Sequence, residues 1–252
     1  MIEFVLFTSL LAPVPAAALF NIAPQTVVQF SDSTFAENIG VRSNGHILVS
    51  VLSEPTLYGI DPTGPNWTAE PIHHFPNATG VAGITEIDDD VFAVASAIGP
   101  NVSFPRIWKL DFRGDTLNVA EIGDVPGSTS IHGIAALRKG NSPATAIMLA
   151  DTGVGSIRCM DPATGTVESI VTSPLFAPSN TSTALGINGV KMFGASLYFT
   201  GSASGTFGRV PLTRDGYSAG EIEVLATLNR SIASFDDFAI NSNGLALFAA
   251  HR

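Results

Sequence analysis

Five short segments of one kind recur along the chain, and their spacing limits the fold more than any other feature. Each sets a variable residue two positions ahead of an apolar one: Glu37 before Ile39, Ala82 before Ile84, His132 before Ile134, Asn188 before Val190, and Asp236 before Phe238. The apolar members follow one another at intervals of 45, 50, 56 and 48 residues. Strand-rich sequence repeating at about fifty residues is the signature of a β-propeller blade.

Between these segments the apolar residues come in runs of strand length separated by turn formers, and no long amphipathic helix is present. The first blade reads as strands over 37–42, 46–52, 57–61 and 72–75, with Asn44-Gly45 as a hairpin signal between two apolar runs. The second reads as 83–87, 91–97, 106–112 and 119–122, the third as 131–137, 146–151, 156–160 and 167–171. The fourth reads as 187–193, 196–200, 206–212 and 222–228, and a fifth begins with 236–241, Asn243-Gly244 and 245–250. Thr26 to Phe30 reads as an isolated strand that is a candidate to complete a blade from the opposite terminus. The expectation is an all-β, six-bladed type of propeller with four-stranded antiparallel blades, truncated to about four and a half.

The 252 residues, 45% hydrophobic and 13% charged, suffice for the core of one domain, placed at 19–252 and incomplete at its C-terminus. Acidic residues number 22 against 12 basic ones, and there is no basic cluster. Nucleic acid, which requires a basic footprint, is excluded as a partner. The apolar run at the start, ending in Ala16 to Ala18, reads as a secretory signal peptide over 1–18. It is too short and too interrupted by Pro13 and Pro15 for a spanning helix, so no membrane contact is expected after cleavage.

Sequons at Asn66, Asn77, Asn101, Asn180 and Asn229 agree with a secreted glycoprotein or one resident in the secretory lumen. Cys159 has no cysteine to pair with and reads as a buried strand residue rather than a nucleophile. Zinc-protease, phosphate-loop and dinucleotide motifs are missing, and Gly201 to Gly205 is no nucleophile elbow because its centre is Ala203.

The first strand of each blade lines a propeller's channel, so Glu37, Ala82, His132, Asn188 and Asp236 are expected to converge on one axis. Carboxylate and amide oxygens meeting there suit a hard cation. Plainer readings stand beside this one. Asn188-Gly189 is also turn chemistry, Glu37 also suits backbone amides at a strand start, and His132 also suits a hydrogen-bonded core position. Asp236 and Asp237 alternate faces on a regular strand, which lets at most one into the channel and leaves the other in solvent, and Asp88 to Asp90 read as a solvated turn.

With Glu37 in Ala-Glu-Asn-Ile, Asn188 in Ile-Asn-Gly-Val-Lys and Asp236 in Phe-Asp-Asp-Phe-Ala, the chain resembles the senescence marker protein and gluconolactonase type of six-bladed propeller. That resemblance implies a divalent metal, calcium or another, held by Glu37, Asn188 and Asp236, and hydrolysis of a lactone or ester. The phrases at 37–45, 83–86, 186–191 and 236–239 resemble more closely a secreted fungal branch that contains hetero-Diels-Alderases of tropolone-sesquiterpenoid biosynthesis.

This second resemblance implies a monomeric pericyclase that needs no cofactor and joins polyketide and terpene substrates, a tropolone quinone methide and a humulene-type sesquiterpene. His132, Asn188 and Asp236 would be its catalytic residues, with Asn38 a further donor. Glu37, Asn38, Ile39, Ile84 and Phe238 would contact substrate. A non-catalytic secreted binding propeller is the remaining alternative.

Overall fold

A computed structural model describes residues 3–5, 26–64, 67–99, 101–179, 185–229 and 234–251. Its strands in chain order begin with β1 (Glu3–Val5), followed by a blade of β2 (Ala36–Val41), β3 (Ile47–Val51), β4 (Thr56–Ile60) and β5 (Ala69–His74). The second blade holds β6 (Val81–Asp88), β7 (Val91–Ser96), β8 (Arg106–Asp111) and β9 (Asn118–Asp124). The third holds β10 (Ile131–Leu137), β11 (Ala146–Asp151), β12 (Ser156–Met160) and β13 (Val167–Thr172). A fourth holds β14 (Ile187–Phe193), β15 (Ser196–Gly201), β16 (Thr206–Pro211) and β17 (Glu223–Thr227).

The fifth sheet contains β18 (Ser234–Ile240), β19 (Ala246–His251) and, on the outer side of β19, the N-terminal β1. The pairings among the described residues are antiparallel, as a propeller meander requires, and between blades three and four these residues form a 3₁₀ turn at Pro174–Phe176. Residues 26–30 are not a strand; this segment instead brings Phe30 edge-on to Tyr58, with ring centroids 5.5 Å apart. Of the stretch read as a leader, Glu3–Val5 lies beside β19, and the rest falls outside the described residues.

The two Asn-Gly hairpins close alike. Gly45 and Gly244 take φ of 87° and 80°, a left-handed conformation that glycine adopts without Cβ strain. In both, a side-chain amide oxygen caps the turn, Asn44 Oδ1 accepting from His46 N and Asn241 Oδ1 from Leu245 N.

Apolar cores fill each interface from blade one through blade five. Leu48, Leu57 and Phe75 meet Ile84, Phe92 and Trp108 between the first two blades, and Ile107 and Val125 meet Ile134 and Met160 between the next two. Met148 and Ile157 pack on Phe176, Val190 and Phe199, and Tyr198 and Phe207 pack on Phe235, Phe238 and Phe248. In blades two to four the alternation of the strands thus serves two interfaces, one per face. Among the described residues no such core joins blade five to blade one, and Ile39, Val41 and Leu247 stand 62%, 61% and 44% exposed.

Every inner strand carries a register shift at the repeated segment: Ala36/Asn38, Val81/Ile84, Ile131/Ile134, Ile187/Val190 and Phe235/Phe238. The repeat read from sequence is therefore a β-bulge, which re-aims side chains and brings neighbouring backbones close. Between the variable residue and the anchor sit Gly83, Gly133 and Gly189. A Cβ on Gly133 would stand 2.6 Å from the Asn188 carbonyl oxygen and 2.8 Å from Val190 N, with no flexible side chain to yield. Gly133→Ala is expected to destabilise the fold by about 2 kcal/mol or more, read as a lower urea midpoint at unchanged slope.

Candidate functional site

The bulges bring most of the predicted channel residues to the axis, where they pair with one another. His132 Nδ1 donates to Glu37 Oε1 at 3.0 Å, linking blade three to blade one, and both side chains are 4% exposed. Asn188 Nδ2 donates to Asp236 Oδ1 at 2.9 Å and to Ser202 Oγ at 3.0 Å. Asn38 Nδ2 donates to Asp237 Oδ2 at 2.9 Å, from blade one to blade five. The three expected donors, His132, Asn188 and Asn38, thus each hold a carboxylate. Ala82, buried, adds no polar group.

Hydroxyls on second strands secure the bulges from behind. Ser50 Oγ accepts from Asn38 N and donates to the Ala82 carbonyl of the next blade, and Thr200 Oγ1 accepts from Gly189 N and donates to the Asp236 carbonyl at 2.6 Å. Both side chains are fully buried, so each bridge spares two backbone groups from burial without a partner.

A cation under the lactonase reading would draw on Glu37, Asn188 and Asp236. Asn188 presents N–H to Asp236, and Glu37 is taken by His132. Among the described residues no three His, Cys, Asp or Glu side chains form a metal group. As paired, Asn188 offers Asp236 an N–H where a calcium cage calls for oxygen.

The apolar anchors are likewise not at the axis. Ile84 and Phe238, each 4% exposed, belong to inter-blade cores, and Ile39, 62% exposed, has no apolar core on its side of blade one among the described residues. Asp237 is not free in solvent, since Lys191 Nζ donates to its Oδ1 and Oδ2 at 2.9 and 2.7 Å. The bulge between Phe235 and Phe238 breaks the strict alternation that predicted otherwise. Asp90 is also paired, accepting from Arg42 Nε and Nη2 at 2.9 and 2.7 Å.

Further along the same strands the axis opens into a recess of about 320 Å³. Its wall is the pair of residues that follows the anchor in blades two to five: Thr85 and Glu86, Ala135 and Ala136, Lys191 and Met192, Ala239 and Ile240, with Arg138 beside them. Two cations border it, each fixed by a carboxylate on an adjoining blade. Lys191 of β14 is held by Asp237 of β18, and Arg138 Nη1, one residue past β10, donates to Glu86 Oε2 of β6 at 3.2 Å. None of these residues was given a role from sequence, although Thr85, Glu86, Lys191 and Ala239 fall within the phrases that carry the resemblance. The signal was nonetheless there, in the two columns after the anchor.

Cys159 lies half-buried on β12, away from the recess. Burial, then Glu168 and Asp161, push its thiol above the ordinary range, which favours the protonated form over the nucleophilic thiolate. The sequon residues Asn77, Asn101 and Asn229 are exposed, while Asn66 and Asn180 lie outside the described residues.

No protein-family model matches the chain, and no curated protein matches it. Solved structures do. An auxiliary nutrient binding protein from Bacteroides ovatus is similar with a TM-score of 0.58 at 10% identity, over 84% of this chain and 46% of that one. A nidogen/laminin complex gives 0.57 at 15% identity, over 79% and 67%. A catalytically inactive virginiamycin B lyase from Staphylococcus aureus, with quinupristin, gives 0.51 at 15%, over 88% and 80%. At such identities the likeness is one of fold, and the fold is that of a β-propeller.

Proposed function

We propose that the protein is a pericyclase of secondary metabolism, a hetero-Diels-Alderase that joins a tropolone quinone methide to a humulene-type sesquiterpene in the axial recess. The observation that carries this reading is the recess itself, with apolar walls at Ala135, Ala136, Met192 and Ile240 and two fixed cations, Lys191 and Arg138. The sequence phrases at 37–45 and 186–191 support the same class by resemblance.

In this cycloaddition one C–C and one C–O bond form together, no group leaves, and no net proton transfer is required. The protein's tasks are to hold both partners at bonding distance and to polarise the heterodiene. Holding them turns a bimolecular encounter into an internal one. An N–H of Lys191 or Arg138 on the carbonyl oxygen stabilises the negative charge that grows there, and does so without reorganisation because each cation is already held. A recess of about 320 Å³ lies at the lower end of the range for small-molecule sites. Hydrolysis is less well served: it asks for a free base, and the carboxylates here, Glu86 and Asp237, each bind a cation. Exposed Asn77, Asn101 and Asn229 support export as a glycoprotein.

The test is incubation of the purified protein with a quinone methide precursor and humulene, followed by chiral chromatography of the dihydropyran. Faster formation of one stereoisomer is expected. Racemic adduct at the background rate overturns the proposal.

A further inference from the structure

We infer that Asp237 is the positioning residue of the recess, setting the place of the Lys191 ammonium; this rests on the recess being the reaction site. The carboxylate grips Nζ with both oxygens, at 2.9 and 2.7 Å, and its Oδ2 also accepts from Asn38 at 2.9 Å. Three blades therefore meet on one side chain: the fourth through Lys191, the first through Asn38, and the fifth through Asp237 itself. This junction lies on the side of the ring where no apolar core ties blade five to blade one among the described residues.

Two local features build it. The bulge between Phe235 and Phe238 points Asp237 toward β14. Glycine at 189 leaves the room, since a Cβ there would lie 2.9 Å from the Asp237 Cα and press on the carboxylate as well. Lysine is a point charge on a flexible four-carbon stem, and without a partner it samples many positions. The two-oxygen grip confines that charge to the recess border, 26% exposed, before any ligand arrives. Asp237 thus acts through Lys191 and does not itself touch the reacting atoms.

The experiment compares wild type, Asp237→Asn and Asp237→Glu, with two readouts. The first is the division of the cycloaddition effect between kcat and KM. The second needs no substrate: brief acetylation of the full chain at neutral pH, with Lys191 labelling measured by mass spectrometry against exposed Lys139. Asp237→Asn is expected to lower kcat about tenfold with little change in KM, and to speed Lys191 labelling several-fold. Asp237→Glu, which restores the carboxylate, should recover most of both. Wild-type labelling in Asp237→Asn overturns the inference, as does faster labelling with an unchanged kcat. Should wild type show no cycloaddition at all, the functional reading fails, while the labelling result still decides whether Asp237 confines Lys191.

Discussion

Lys191→Met is expected to lower the catalysed cycloaddition rate by about a hundredfold, the usual cost of removing one pre-placed donor from a developing oxyanion. Methionine keeps much of the stem's volume and loses the three N–H donors, so the change falls on charge stabilisation more than on shape. The loss should appear in kcat and kcat/KM together, because the hydrogen bond strengthens as the carbonyl oxygen gains charge. Melting temperature separates this from unfolding. The lost ion pair is partly exposed, with Lys191 at 26% and Asp237 at 17%, and such pairs contribute little to stability. A Lys191→Met protein that folds and turns over at the wild-type rate would remove the lysine from the mechanism.

The largest stability effect is expected from Phe207→Ala, at about 3 to 5 kcal/mol. Phe207 is 2% exposed and sits at the centre of the interface between blades four and five. Its ring lies 5.4 Å from Phe238 and 4.7 Å from Phe248, both edge-on, and 5.9 Å from Tyr198. Truncation leaves a cavity walled by rigid aromatic rings, which relax poorly into it. Blade five has no apolar core on its other side among the described residues, so this interface carries most of its attachment. Native-state hydrogen exchange should show β18 and β19 opening at much lower free energy in the variant, with the interface of blades two and three little changed. Equal loss of protection in all blades would contradict that account.

The strands of four blades and the start of a fifth were legible in sequence because hairpin chemistry and alternation are local. Asn44-Gly45 and Asn243-Gly244 announce their turns without reference to anything distant. That His132 would come near Glu37, and Asn188 near Asp236, was legible too, since equal positions in the blades face the same way. What those side chains do on arrival was not. A repeat places His132 near Glu37, but it does not say that the donor will be spent on the carboxylate. The bulges were hidden for a similar reason: an extra residue in one strand shows only against its partner, as when Ile187 and Val190 meet Gly201 and Phe199. Asp237 was misplaced on that account. Thr26 to Phe30 has the composition of a strand, yet it forms none, and the outer edge of β19 is taken by β1.

The way the recess wall is assembled bears on how its chemistry can be changed. Blades two to five each contribute one adjacent two-residue word, from Thr85-Glu86 to Ala239-Ile240, written on a strand whose position is set by cores elsewhere. Such words can be rewritten one at a time, each altering a single sector of the wall while the scaffold stays in place. A ligand with its polar group on another side calls for moving a charged letter from one blade to another, with no new loop and no redrawn backbone.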